Sequence, residues 1–295
     1  MGETVVLIGF GEAGAAFAAG LIAAAATVSA YDRKTDDPAT AGAKWADYGA
    51  AGIAGAASMA EALHAGRAVL SLVTADQAVA AASAAAPAIA PDALWFDMNS
   101  VGPDTKRAAA QAIEAAGGRY VDVAVMSPVL PARIAAPLLL SGPHAEAGAA
   151  MLGAIGFTRA SVVPGPVGRA SSIKMIRSVM VKGIEALTAE CVLAADAAGV
   201  LDEVLVSLDA SPPPPSWAAR SDYNLDRMMV HGLRRAAEME EVVKTLDALG
   251  TGSAMTRATV GRQRAIGEGG FVRPPAGLDE KLALLASRTG EAQAA

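Results

Sequence analysis

A run of three closely spaced glycines near the N-terminus is the feature that most limits how this chain can fold. The pattern Gly9-Phe10-Gly11-Glu12-Ala13-Gly14 follows a β-branched run, Thr4–Ile8, and opens an alanine-rich segment that reads as a helix from about 12 to 24. Such glycines allow a tight turn, close approach of the backbone to a diphosphate, and close packing of helix on strand. The pattern therefore predicts a Rossmann-type unit whose helix N-terminus holds the phosphates of a dinucleotide.

Composition excludes several other classes of protein. The chain has 295 residues, 53% of them hydrophobic and 18% charged, with a formal net charge of −6. This length suggests two domains at roughly 150 residues each, and the apolar content excludes intrinsic disorder. The acidic balance argues against a nucleic-acid partner, and no run of roughly 18 strongly apolar residues predicts a membrane span. One cysteine and three scattered histidines indicate neither a disulfide framework nor a metal site. With no basic signal-peptide region, the expected location is the cytoplasm.

Strand and helix signals alternate through the first half of the chain. Helical alanine segments are predicted at 75–86 and 103–116. Alternation of this kind predicts a parallel sheet covered by helices on both faces. After the first strand, the predicted strands are Thr27–Tyr31, Ala68–Val73, Leu94–Asp97, Tyr120–Val125, Leu138–Ser141 and Ala160–Val163.

The pattern changes after Pro164-Gly165-Pro166, where a proline-free helical stretch runs from 170 to 199. Cys191 is expected to be buried on its apolar face, and the tail from Gly267 is expected to be a loosely attached surface segment. We therefore predict an α/β Rossmann domain at 1–165, followed by an all-α domain at 166–295 and joined to it by a long interdomain helix. The further predicted helices are 202–208, 222–249 and 253–266, with the prolines of 212–215 separating the first two.

Asp32 ends the second predicted strand and is the candidate for recognising the cofactor. An acid about 20 residues beyond the glycine pattern can hydrogen-bond the adenosine ribose hydroxyls, which favours NAD. Arg33 and Lys34 follow directly, and these cations could instead neutralise the 2′-phosphate of NADP. The residues leave both cofactors open, although the acid favours NAD. Val73 and Thr74, which end another predicted strand, are further predicted cofactor contacts.

Three later blocks follow the glycine pattern along the chain: 97–103 (DMNSVGP), 121–128 (VDVAVMSP) and 168–174 (GRASSIK). Together with that pattern they resemble the β-hydroxyacid dehydrogenase family, which includes 3-hydroxyisobutyrate and 6-phosphogluconate dehydrogenases. The first is similar to the family's D-x-S-T-x-x-P block near the nicotinamide. The second is similar to its D-A-P-V-S-G-G substrate-binding strand, and the third to its G-x-G-x-x-x-K block with the catalytic lysine.

This resemblance implies a role for particular residues. Lys174 would be the general acid and base, and partial burial could lower its pKa towards neutrality to suit that task. Asn99 and Ser100 would face the nicotinamide, and Ser127 would bind a substrate carboxylate. Ser178 lies one helical turn after Lys174 and could hold a hydroxyl or a water. The family further implies a homodimer whose helical domains pack together, each completing the cleft of its partner.

The departures from the family pattern put the usual substrates in doubt. Ser178 stands where the family has asparagine, and Pro128-Val129 replaces a double glycine. His231 replaces the lysine of a later block, and with Arg234 and Arg235 it could bind an anionic substrate. The expected activity is hydride transfer to or from a small hydroxy acid or its keto form. The alternatives are an imine reductase and a non-catalytic dinucleotide sensor, and Lys174 argues against both.

Overall fold

The computed structural model of this protein describes residues 4–210 and 216–294. The chain divides into two compact units, Met1–Val179 and Met180–Ala295. The division falls inside one long helix, α7 (Arg169–Ala197), whereas the boundary predicted after residue 165 lies in the loop before that helix and stays a prediction. The proline run at 212–215, predicted to separate two helices, lies outside the described residues.

The first unit is built on an eight-stranded sheet, counted over the described residues, with the order β3-β2-β1-β4-β5-β6-β7-β8. Every neighbouring pair is parallel except β6 and β7. The chain reverses its direction of travel across the sheet between β1 and β4, and in such sheets ligands bind outside the carboxyl ends of the strands at this point. The strands are β1 Thr4–Ile8, β2 Thr27–Tyr31, β3 Ala54–Gly55, β4 Ala68–Ser71, β5 Leu94–Asp97, β6 Arg119–Val125, β7 Leu138–Ser141 and β8 Ala160–Val162.

Helices cover both faces of this sheet. Along β1, Val5 and Leu7 belong to one buried apolar cluster, whereas Val6 and Ile8 belong to the other. Because successive side chains of a strand point to opposite faces, a continuous apolar strand fits a sheet buried on both sides. The helices of this unit are α1 Glu12–Ala23, α2 Pro38–Ala51, α3 Met59–His64, α4 Ala78–Ala85, α5 Pro103–Ala115, α6 Ala145–Ala154 and the start of α7.

The second unit is helical throughout its described residues, which confirms the predicted fold class of a Rossmann domain followed by an all-α domain. Its elements are the end of α7, α8 Leu201–Asp209, α9 Trp217–Leu249, α10 Ala254–Gly267 and α11 Leu278–Ala294. Glu190 of α7 accepts hydrogen bonds from the backbone N–H groups of Met255 and Thr256 at the start of α10, at 2.9 and 2.8 Å. Although partial burial favours its neutral form, these bonds prevail and hold the pKa of Glu190 below its usual value. No helix of the described residues is both long and apolar enough to span a membrane.

Two expectations for the second half of the chain are wrong. Cys191 is exposed, because the helix face that carries it is not covered within this chain. The tail from Gly267 is not a loose segment, since it contains α11, which packs on α9. Lys281 of α11 is 3% exposed and donates a hydrogen bond to Asp222 of α9, at 2.7 Å. A buried ammonium that is paired with a carboxylate fastens the tail to the unit.

Candidate active site

The glycine loop joins β1 to α1, and two of its three glycines leave no room for a side chain. Gly9 has a φ of +92°, and a Cβ there would lie 2.6 Å from the carbonyl oxygen of Leu72. A Cβ on Gly14 would lie 2.7 Å from the carbonyl oxygen of Gly9. Gly11, in contrast, faces open space, and it caps α1 without a side-chain hydrogen bond. The loop therefore presents the N-terminus of α1 with its first N–H groups uncapped, which suits a diphosphate.

The acid at the end of β2 lies beside this loop. Asp32 Oδ2 accepts a hydrogen bond from Phe10 N at 2.8 Å, and Oδ1 accepts one from Lys34 N at 3.0 Å. Arg33 is exposed, and its guanidinium donates to Gln77 Oε1 at 2.6 Å. Hydrogen bonds with Thr74 and Gln77 lower the pKa of the exposed Asp76 carboxyl. The side chains of Asp32 and Arg33, both predicted at the adenosine end, thus already have protein partners.

These features fit a bound dinucleotide. Gly9–Gly14 and the uncapped start of α1 would hold the diphosphate, and the open space at Gly11 leaves room for it. Glu12 is exposed at the first turn of α1, and Ala13 lines a cavity beside it. NAD or NADP would supply hydride chemistry to that cavity when bound.

A matched pair of glycine variants separates cofactor binding from folding. A Gly11→Val variant is expected to keep the melting temperature, because its Cβ meets open space, and to bind NADH and NADPH at least about tenfold more weakly. A Gly14→Val variant is expected to lose about 1–3 kcal/mol of unfolding free energy, because its side chain meets the Gly9 carbonyl. Thermal denaturation and fluorescence titration measure both effects. Equal cofactor affinity in Gly11→Val and the parent protein would argue against diphosphate binding here.

A cavity of about 300 Å³ lies at the carboxyl ends of β4, β5 and β6. Its lining brings together residues from three predicted blocks and the start of α1. The lining includes the predicted site residues Ala13, Val73, Asn99, Ser100, Ser127 and Lys174. The other predicted site residues of the first unit are outside it: Gly9, Phe10, Gly11, Glu12, Gly14, Asp32, Arg33, Thr74 and Ser178. The lining residues are Ala13, Phe17, Leu72, Val73, Ala75, Met98, Asn99, Ser100, Val125, Ser127, Pro128, Val129 and Lys174.

Lys174 is the positively charged residue in the lining of this cavity, and its ammonium group has a hydrogen-bond partner. Its Nζ donates a hydrogen bond to Ser100 Oγ, at 2.6 Å. Ser100 follows β5, and Lys174 lies in the second turn of α7, so the pair joins two elements of the first unit. An amine and a hydroxyl that meet in a cleft of mostly apolar residues can exchange a proton with a bound oxygen.

The other predicted polar residues make hydrogen bonds within the protein. Asn99 donates through Nδ2 to Asp97 and Ser71 and accepts from the Val73 backbone N–H at 2.8 Å, so its side chain holds the loop after β4. Ser127 Oγ donates to the carbonyl of Pro128, at 3.1 Å, from the cavity wall. Ser178 Oγ donates to the Lys174 carbonyl, at 2.9 Å, one turn earlier on the same helix. The predicted role of Asn99 toward the nicotinamide, and those of Ser127 and Ser178 toward a substrate, stay predictions.

A buried ionic cluster lies beneath the cavity, and the sequence analysis missed it. Lys106 of α5 is fully buried, and its Nζ donates to the Asp97 carboxylate at 3.0 Å and lies 3.4 Å from the Asp122 carboxylate. Asp122 Oδ2 accepts the backbone N–H groups of Gly168 and Ser171, at 3.0 and 3.2 Å, at the start of α7. The cluster therefore ties the strand ends to the helix that carries the cavity lysine.

Tyr120 completes this ionic cluster from β6. Its hydroxyl donates to Asp97 Oδ2, at 2.6 Å, and the side chain is fully buried. Burial, and then the neighbouring Asp97 carboxylate, raise the pKa of this phenol, so it remains a donor. Asp97 and Asp122 lie in the sequence blocks that carry the family resemblance, so their part in the site could have been predicted. Nothing in the sequence indicated that Lys106 is buried, because a lysine on a helix is usually solvated.

His231 lies in the second unit, on α9. Partial burial, and then the nearby Arg227 and Arg234, lower the pKa of its imidazole. Arg227, Arg234 and Arg235 form a cationic stretch of α9 around this imidazole that would suit an anionic group. The role of His231 in substrate binding stays a prediction.

Comparison with known families identifies the first unit. Residues 4–156 match the family described as the NAD binding domain of 6-phosphogluconate dehydrogenase, and this match covers more than half of the chain. The chain belongs to the β-hydroxyacid dehydrogenase family. As a member of this family, it is an NAD(P)-dependent oxidoreductase that binds NAD or NADP. The predicted cofactor is therefore confirmed, whereas the assignment of the glycine loop to its diphosphate stays a prediction. Residues 195–266 match a domain of unknown function, DUF1932.

Solved structures extend the family likeness over nearly the whole chain. A conserved hypothetical protein from Sinorhizobium meliloti 1021 is 38% identical, with 98% of this chain and 97% of that chain covered and a TM-score of 0.62. A conserved protein of unknown function, described as structurally similar to 3-hydroxyacid dehydrogenases, is 26% identical over 90% and 97%, with a TM-score of 0.59. An imine reductase from Streptomyces aurantiacus, 22% identical over 96% and 99%, shares the fold with a TM-score of 0.68. No curated protein sequence matches the chain.

Proposed function

We propose that this oxidoreductase transfers a hydride between its nicotinamide cofactor and the hydroxyl-bearing carbon of a small hydroxy acid, or the oxo carbon of its keto form. The observation that carries the proposal is the Lys174–Ser100 pair in the wall of the cavity at the carboxyl ends of the strands. Bound NAD or NADP would supply or accept the hydride. The protein must then bind the substrate, exclude water and move one proton.

Lys174 would move that proton. In the reductive direction, its ammonium group donates a proton to the oxygen that becomes the alcohol. In the oxidative direction, the neutral amine removes the hydroxyl proton. Ser100 Oγ accepts a hydrogen bond from Nζ and thereby holds the amine at the cavity wall rather than in bulk solvent.

The cavity favours a small substrate with a polar end. Phe17, Leu72, Met98 and Val125 give it apolar walls, which exclude water and strengthen the electrostatic effect of the lysine. Ser127, next to these walls, would hydrogen-bond a carboxylate.

Imine reduction is the second candidate activity. The structural similarity to an imine reductase over 96% of this chain favours it. Lys174 favours the carbonyl reaction, because an ammonium group can protonate a developing alkoxide directly. A panel of hydroxy acids, keto acids and cyclic imines, followed by the absorbance of the reduced cofactor, tests both. Turnover of the acids supports our proposal, turnover of imines alone overturns it, and cofactor binding without turnover of any class favours a dinucleotide sensor.

We also propose that the active form is a homodimer. Apolar side chains of the second unit are more exposed than a monomeric protein would favour: Leu193 by 57%, Val206 by 69% and Leu208 by 57%. They lie on the end of α7 and on α8. Covering them with a second copy would remove this surface from water.

Charged substitutions test this dimer. A Leu193→Glu/Val206→Glu variant is expected to be monomeric by light scattering, because burying two carboxylates at an apolar interface is unfavourable. Val272 lies after α10 and is 87% exposed, so Val272→Glu serves as the control and should remain dimeric. A monomeric parent protein at micromolar concentration would contradict the proposal.

A further inference from the structure

The backbone of Phe10, between the first two glycines of the loop, is held on both sides by charged side chains. Its N–H donates to Asp32 Oδ2, at 2.8 Å, and its carbonyl accepts a hydrogen bond from Lys44 Nζ, at 2.8 Å. The Phe10 side chain is 3% exposed and lies against the ring of Tyr48, with 5.2 Å between the ring centroids. The backbone N–H and the backbone carbonyl of Phe10 are therefore both hydrogen-bonded, and its ring packs on another ring.

Lys44 is unusual because it is a buried lysine on α2, with 8% of its surface exposed. Its second partner is the carboxylate of Asp47, at 2.7 Å, on the next turn of the helix. A buried ammonium is costly unless it is paired and hydrogen-bonded, so its place beneath the loop calls for a reason. The Phe10 carbonyl is the part of the glycine loop that it reaches.

Asp32 accepts hydrogen bonds from backbone N–H groups through both of its carboxylate oxygens. One carboxylate oxygen accepts the Phe10 N–H, and the other accepts the Lys34 N–H, at 3.0 Å. Each carboxylate oxygen can accept a second hydrogen bond, so these two bonds leave room for ribose hydroxyls as well. Here the carboxylate connects the end of β2 to the turn that begins α1.

We propose that Asp32 and Lys44 are positioning residues that clamp the glycine loop through Phe10. The clamp fixes the turn so that the uncapped N–H groups of α1 are already oriented for the diphosphate. Both cofactors share that diphosphate, so the clamp strengthens the binding of both to the same degree. This inference rests on cofactor binding and is independent of the proposed hydride transfer and of its substrate.

The test compares Asp32→Asn and Lys44→Met in the full chain, with NADH and NADPH titrated by fluorescence. Asp32→Asn leaves one oxygen acceptor for the N–H groups of Phe10 and Lys34, and Lys44→Met removes the donor to the Phe10 carbonyl, so each is expected to weaken both cofactors by about tenfold. In Lys44→Met the ratio of the two dissociation constants is expected to stay within about twofold of the parent value. Asp47→Asn is the matched control, because it removes a partner of Lys44 without touching Phe10, and both affinities should be retained.

Amide hydrogen exchange of residues 9–14 without cofactor gives a second readout. The clamp predicts faster exchange in Asp32→Asn and Lys44→Met, and unchanged exchange in Asp47→Asn, at temperatures where thermal denaturation shows all three folded. If a variant does not fold, Lys44→Arg supplies the comparison, since it keeps the cation and should recover part of the affinity. A tenfold change in the NADH-to-NADPH ratio in Lys44→Met, or unchanged affinity and exchange in that variant, would overturn the proposal.

Discussion

Replacing Lys174 with alanine is expected to lower kcat by about 100- to 10,000-fold, the range that a positioned general acid or base contributes. Its Nζ lies in the cavity wall and is held by Ser100 Oγ, whereas the diphosphate would bind at the glycine loop. The dissociation constants of NADH and NADPH should therefore stay close to the parent values. Steady-state kinetics, together with fluorescence titration of the cofactor, separate the two effects.

The control for this variant lies on the same helix. Arg177 follows Lys174 by three residues on α7 and is exposed, so Arg177→Ala should keep kcat within about twofold of the parent value. Ser100→Ala removes the hydrogen-bond partner and should give an intermediate loss, with kcat affected more than cofactor affinity. If Lys174→Ala works at close to the parent rate, the acid–base assignment is wrong.

Replacing Lys106 with methionine is expected to lower the free energy of unfolding by about 3–5 kcal/mol, as removal of one member of a buried ion pair does. Lys106 is fully buried, and its Nζ is the counter-charge to the Asp97 and Asp122 carboxylates. Without it, two carboxylates remain buried near each other with only hydrogen bonds to offset their charge. A loss of this size is a large part of the stability of a typical domain.

Urea denaturation measures this loss, and a neighbouring residue provides the control. Arg107 lies on the same helix and pairs with Asp104 at the surface. Its replacement by methionine should cost about 0–1 kcal/mol, as exposed ion pairs do. Equal denaturation midpoints for Lys106→Met and Arg107→Met would show that the buried cluster does not stabilise the fold.

The sequence predicted the part of the fold that local patterns specify. The strand of Thr4–Ile8, its glycine turn and α1 were predicted almost to the residue, because a β-branched run, three closely spaced glycines and an alanine-rich segment follow one another directly. Strand β7 was predicted, but its antiparallel direction was not, since its apolar run resembles that of a parallel strand. Its direction follows from the connection after β6, where residues 126–137 contain no helix long enough for a crossover.

Helices α2, α3 and α6 were missed for a different reason. Their residues are small or polar, so helical periodicity is weak, and tertiary packing decides the outcome. The tail helix α11 follows a Gly/Pro-rich segment that suggested a loose end, but the partners of Lys281 lie more than fifty residues earlier, on α9. No local pattern can report a pairing at that distance along the chain.

For the candidate site, too, the sequence predicted which residues take part but not which contacts they make. The sequence blocks identified Ser100, Ser127 and Lys174, and the structure brings these three to one cavity. The hydrogen-bond partners of the residues beside them depend on the fold. The bond that the Asn99 side chain accepts from the Val73 backbone N–H therefore could not be predicted. Lys44 and Lys106 were missed because burial of a lysine is decided by partners from other elements.

Transfer of deuterium from a nicotinamide cofactor labelled at C4 tests the central claim most directly. The purified protein would be incubated with labelled NADH or NADPH and small keto acids, and the hydroxy acid products analysed by mass spectrometry. We predict one deuterium on the carbinol carbon, with transfer reduced in Lys174→Ala in proportion to its kcat. Labelled amines from cyclic imines, with no labelled hydroxy acid from any keto acid, would contradict the account.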